Sequence, residues 1–137
     1  MTRIPLALRR LVLERARGRC EYCLIHEDDA YFAHEPDHII SEKHGGQTTA
    51  DNLALACFFC NRHKGSDIAS LDPETGRLTP LFNPRTQRWS DHFVLEGPVI
   101  RPVTPEGRVT VAVLQLNHPD RLFERQVLIA AGRYPRY

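Results

Sequence analysis

Residues 20–65 read CEYCLIHEDDAYFAHEPDHIISEKHGGQTTADNLALACFFCNRHKG, and the two CxxC pairs that close the stretch, Cys20/Cys23 and Cys57/Cys60, decide the fold. A tight turn holds each pair of thiolates together, and tetrahedral zinc takes four such soft ligands at about 2.3 Å. One pair alone would also fit a redox motif; two pairs in one small chain point to a metal. With all four positions filled by protein, no coordination site remains for water, so the expected zinc is structural. Centres of this kind contribute roughly 10–16 kcal/mol to folding in small zinc modules, more than the total stability of most domains.

Working outward, a chain of 137 residues fits one domain, 1–137. Its expected division is a core at 18–66 and a C-terminal scaffold extension at 67–137. Ten prolines and eight glycines interrupt it, so the core must be built from short pieces and benefits from a staple. The net charge of +1 does not announce a nucleic-acid partner. Charge is unevenly spread, however: Arg3, Arg9, Arg10, Arg15, Arg17 and Arg19 stand against the single acid Glu14. That segment suits a phosphate backbone or, more plainly, a solvated helix face. No run of about 18 apolar residues exists, so no membrane span is expected. The scattered arginines and Pro5 do not read as a secretory signal, which makes the cytoplasm the expected compartment and keeps the cysteines reduced.

Along the chain, Leu8, Leu11, Val12 and Ala16 recur at helical spacing over 6–17, with Gly18 as a stop. Residues 31–40 read as extended because Pro36 is unwelcome in a helix. A loop follows over 41–51 around Gly45-Gly46, then a short strand over 52–56 and a brief helix from about Phe58. Residues 67–83 read as an irregular connector with turns. Val109, Val111 and Val113 alternate with Thr110, Ala112 and Leu114, which is strand patterning, and 120–131 carries Leu122, Phe123, Val127 and Ile129 as a packed helix would.

The order Cys20-Glu-Tyr-Cys23, Asp37-His38-Ile39-Ile40, His44-Gly45-Gly46, Asp51-Asn52-Leu53 and Cys57-Phe-Phe-Cys60-Asn61-Arg62-His63-Lys64-Gly65 resembles the HNH endonuclease family. The resemblance implies an α+β fold, a ββα-metal (HNH, or His-Me finger) core stapled by a four-cysteine zinc. An N-terminal helix and a C-terminal strand–helix extension complete the expected architecture. Carried over residue by residue, Asp37 and Asn61 are the implied ligands of a catalytic divalent cation and His38 the implied general base. Asn52 is implied to brace the loop between the strands. The implied reaction is hydrolysis of DNA phosphodiester bonds to 5′-phosphate and 3′-hydroxyl ends. Independent chemistry agrees: a carboxylate and an amide oxygen are hard donors suited to Mg²⁺ or Mn²⁺, and histidine is the side chain that titrates near neutrality.

Other polar residues have weaker claims. His34 and His44 are candidate metal or substrate contacts, or plain surface histidines. Arg62, His63 and Lys64 are candidate phosphate contacts, or solvated helix charges. Looser resemblance continues through Asp72-Pro73, Leu81-Phe82-Asn83-Pro84-Arg85, Trp89 and His92-Phe93. Trp89 and Phe93 are expected in the core, and Arg85 or His92 is a candidate neighbour of the cleft. The alternative to a nuclease is a zinc-ribbon module that binds DNA without cutting it. The sequence is compatible with a monomer or a homodimer.

Overall fold

In the computed structural model, which describes residues 3–136, helix α1 (Leu6–Arg15) starts after Pro5, whose carbonyl accepts from the amides of Leu8 and Arg9. Its inward residues Leu8 and Val12, with Ile4 before the helix and Ala16 at its end, pack on Leu53 and Leu55. Leu11, expected on that face, points outward and is exposed. The face is therefore a narrow i, i+4 stripe. The helix ends at Arg15, two residues short of the expected end at Arg17. Gly18 then adopts φ +73° against the ring of His26, where a Cβ would stand 2.8 Å from Nε2.

The centre of the structure is a ββα unit. Strand β1 (Glu35–His38) pairs antiparallel with β2 (Leu53–Ala56), with Asp37 opposite Ala54 and His38 opposite Leu53. The β1 strand is shorter than the 31–40 segment expected. All four β2 residues are buried, Leu53 and Leu55 under α1 and Ala54 and Ala56 against the main core on the other face. Cys57 ends β2 and caps helix α2 (Phe58–Lys64), its sulfur accepting from the amide of Cys60.

The C-terminal half differs from expectation in three places. Residues 67–83 hold a hairpin, β3 (Ala69–Leu71) with β4 (Leu78–Pro80), and a second hairpin follows, β5 (Phe93–Glu96) with β6 (Val99–Pro102). The Val/Thr alternation over 109–114 is not a strand but part of helix α3 (Pro105–Val113). Thr104 caps that helix by accepting from the amide of Gly107, and Pro105 takes its first turn. Gly107, Val109 and Thr110 are its buried positions, with buried Leu114 just past its end, a helical spacing that the alternation concealed.

Helix α4 (Pro119–Ala130) forms as expected but turns another face inward. Phe123 and Val127 are exposed, whereas Arg121 and Arg125 are buried. Arg125 donates to the carbonyls of Pro98 and Leu116, so its burial is matched by hydrogen bonds. One contiguous core runs from the four cysteines through Tyr22, Ile39, Phe82, Phe93 and Ile100 to Leu116 and Tyr134. Trp89 packs on Phe93 with ring centroids 5.0 Å apart and donates its indole N–H to the Tyr22 carbonyl. Among the described residues no helix is long and apolar enough to cross a membrane.

Candidate active site and metal centre

The sulfurs of Cys20, Cys23, Cys57 and Cys60 lie within 4.8 Å of one another, and all four residues are buried. In each pair the second cysteine's amide donates to the first sulfur, at 3.5 Å for Cys23 and 3.4 Å for Cys60. Such N–H···S contacts fit sulfurs that carry negative charge. Four acidic groups in one dry site oppose each other's ionisation. Hydrogen bonds from the other three cysteines pull the Cys23 thiol well below its ordinary value, while burial pushes Cys20 and Cys60 up. A dication removes that conflict, and a tetrahedral S₄ donor set is the one zinc takes. Arg121 adds a fixed cation: its guanidinium donates to Cys60 Sγ at 3.1 Å and to the Leu114 carbonyl at 2.8 Å. Tyr134 closes the far side by donating its hydroxyl to the Cys23 carbonyl at 2.8 Å.

On another side of α2 a cleft of about 410 Å³ is bordered by Asp37, His38, Ser41, Glu42, Asn61, Gly65 and Ser66. Two separate elements supply the chemistry: β1 brings Asp37 and His38, and α2 brings Asn61. Asp37 is buried, and its Oδ2 lies 3.0 Å from the ammonium of Lys64. Burial pushes the Asp37 carboxyl upward and Lys64 pulls it back. The donors fit a hard dication, an acidic oxygen and an amide oxygen with room for water or phosphate oxygens.

His38 Nε2 lies 2.9 Å from the Thr48 hydroxyl and 3.8 Å from Glu42 Oε1. The loop carrying Thr48 is tied down by Asn52. Its Oδ1 accepts from the Ile40 amide at 2.9 Å, and its Nδ2 donates to the carbonyls of Ile40 and Gln47 at 2.9 and 2.8 Å. Gly46 lies under this brace, where a Cβ would fall 1.7 Å from the Ile40 carbonyl oxygen. Only glycine fits there.

The remaining candidates are dispersed. His34 is buried and spends Nε2 on the Ile25 carbonyl at 2.9 Å, away from the cleft. His44 is exposed in the turn before Gly45. Arg62 is exposed with its guanidinium 5.9 Å from the Phe58 ring centre. His63 borders a different hollow, with His118, Arg121 and Glu124. Lys64 is neither solvated nor turned toward substrate: it is 2% exposed and donates to the His38 carbonyl at 2.8 Å. Arg85 pairs with Glu21, and His92 bonds the Thr104 hydroxyl, so neither borders the cleft. Thr48, Glu42 and the inward role of Lys64 were missed from the sequence. Only Glu42, four residues past His38, had a spacing that could have flagged it.

The N-terminal arginines are partly spent within the fold. Arg15 donates to the carbonyls of Ala50 and Leu53, Arg9 pairs with Glu35, and Arg19 donates to the Arg136 carbonyl.

Residues 20–67 match the family model described as HNH endonuclease, in agreement with the motif order above. Among curated proteins the chain is similar to the Septu protein PtuB of Bacillus thuringiensis. The two are 27% identical over 120 residues, an alignment covering 86% of this chain and 44% of that protein. The chain thus spans less than half the length of that relative. No solved structure matches it.

Proposed function

We propose that the protein is a metal-dependent HNH endonuclease that hydrolyses DNA phosphodiester bonds, with His38 as the general base. The observation that carries this reading is the meeting of Asp37, His38 and Asn61 on one cleft. It is joined by the match of residues 20–67 to the HNH endonuclease model.

With Nε2 facing the Thr48 hydroxyl, a neutral His38 that donates there presents the Nδ1 lone pair to a water. Asn52 holds the loop, and so Thr48, in register with the ring. Proton removal by a positioned histidine is worth roughly 10²–10⁴-fold in rate. Asp37 and Asn61 would hold a single Mg²⁺ or Mn²⁺, which when bound stabilises negative charge on the phosphate and the departing 3′ oxygen. Lys64 already neutralises much of Asp37, so the cation site is weak until substrate phosphate oxygens complete it. Cys20, Cys23, Cys57 and Cys60 would hold a structural zinc, which fixes the start of α2 and therefore Asn61. Residues 67–137 act as scaffold through the shared core.

The test is product chemistry on an end-labelled duplex with Mg²⁺ or Mn²⁺. The expected products are ends that DNA ligase can reseal, 5′-phosphate and 3′-hydroxyl, lost in Asp37→Asn and Asn61→Ala. Binding without any cleavage would favour the zinc-ribbon alternative.

A further inference from the structure

On the first turn of α2 and the segment before β1, four aromatic rings stand on the surface in continuous contact. Tyr31 is 94% exposed and Phe32 50%, and Phe58 and Phe59 keep 39% and 45% of their surface. Ring centroids step from Tyr31 to Phe32 at 4.9 Å, to Phe58 at 4.8 Å and to Phe59 at 5.5 Å. Arg62 lies over the Phe58 ring. The four rings also line a mostly apolar hollow of about 350 Å³, with Arg121 and Glu124 among its polar neighbours. Folding gains nothing from displaying such a patch, and exposed apolar clusters of this kind mark binding surfaces.

The position of the patch selects the occupant. At about 100° per residue, Phe58 and Asn61 lie some 60° apart around α2 and within one turn, about 5 Å, along it. That is the scale of one nucleotide step. A strand whose phosphate enters the cleft at Asn61 therefore brings a neighbouring base to this aromatic cluster, where Phe58 is covered by Phe32 and Arg62 and the most open ring is Tyr31. Aromatic faces with an adjacent arginine are the combination on which unpaired bases stack, because every base has a π-face and Arg adds attraction for both ring and phosphate.

We propose that Tyr31, Phe32, Phe58 and Phe59 form a stacking platform for an unpaired base of the nucleic acid held in the cleft. The site thereby favours single-stranded or locally opened DNA over continuous duplex. The inference rests on the nuclease reading only for the phosphate's place.

The experiment uses the full zinc-loaded chain and an oligodeoxynucleotide carrying 2-aminopurine, single-stranded or annealed to its complement. Binding is read by anisotropy and stacking by quenching of the 2-aminopurine. Tyr31→Ala and Phe32→Ala, both at exposed positions, are compared with wild type, and zinc content verifies folding. The expected result is tighter binding of the single strand, quenching on binding, and about tenfold weaker binding with loss of quenching on removal of a stacking ring. Unchanged affinity and quenching in both variants would overturn the platform. So would substitutions that alter only self-association in sedimentation, which would make the patch a protein interface. Metal-dependent cutting of plasmid is scored separately, so a platform that fails in an active nuclease is distinguishable from a platform that binds in a protein that cuts nothing.

Discussion

The ammonium of Lys64 lies 3.0 Å from Asp37 Oδ2, and both side chains are buried beside the cleft. The same ammonium donates to the carbonyl of His38, so one lysine fixes both members of the Asp-His pair. Removing one partner of a buried pair leaves a charge without compensation and costs about 3–5 kcal/mol. Lys64→Met is expected to melt well below wild type in the absence of divalent cation. It should recover part of that loss with Mg²⁺ or Mn²⁺, because the cation takes over neutralisation of Asp37. Thermal melts with and without metal check this; equal metal stabilisation of variant and wild type would count against it.

Asn52 makes three hydrogen bonds that hold residues 40 and 47 together, and none of its atoms needs to reach substrate. Asn52→Ala should lower the cleavage rate by about 100-fold, the effect of a misplacement near 1 Å, with little change in substrate affinity. Gly46→Ala should act in the same direction, since its Cβ cannot coexist with the Ile40 carbonyl. Single-turnover rates and anisotropy separate the two quantities.

Arg121 links α4 to the cysteine cluster through Cys60 Sγ at 3.1 Å and, at 3.7 Å, Cys57 Sγ. Partners of this kind around a metal's ligands are worth 10–100-fold in affinity, and Arg121→Ala should lose zinc to a competing chelator by about that factor. Arg121→Lys should restore little, because a single ammonium cannot span the sulfur and the Leu114 carbonyl together. A chromophoric chelator reads the release directly, independent of nuclease activity.

Asp72 receives two 2.8 Å hydrogen bonds from Arg108, and further bonds from the Glu74 amide and the Thr75 hydroxyl. Arg108 first, then these donors, hold its carboxyl well below the usual carboxylate range. A carboxylate whose pKa is depressed by folding contributes stability above its unfolded value, near 4, and loses that contribution as pH falls toward the folded value. The melting temperature should therefore fall more steeply below about pH 4 in wild type than in Asp72→Asn, which lacks the titrating group.

Much of the site was legible because its elements are tied to chemistry that spacing displays: paired cysteines, an adjacent Asp-His, a glycine pair and two asparagines. Asp37 and His38 fall on β1 and Asn61 on α2, whereas Asn52, expected to open the second strand, closes the turn just before β2. The alternation over 109–114 misled because a valine-rich helix and a strand share that pattern locally, and the deciding signal was the Thr104-Pro105 cap upstream. The inward face of α4 was hidden for another reason. Arg121 and Arg125 are buried by partners distant in sequence, sulfurs and loop carbonyls, that no helical pattern reveals. Lys64 reads from the sequence as a candidate phosphate contact or a solvated helix charge, because only β1, a distant segment, supplies the acid that draws it in.

The most direct test of the central claim is conversion of supercoiled plasmid by the zinc-loaded protein in EDTA, Mg²⁺ and Mn²⁺, with His38→Ala beside wild type. The account predicts nicked or linear DNA only with metal. It also predicts a rate for His38→Ala lower by roughly 10²–10⁴-fold at unchanged zinc content. Metal-dependent cleavage that His38→Ala retains in full, or no cleavage by folded wild-type protein under either metal, would contradict it.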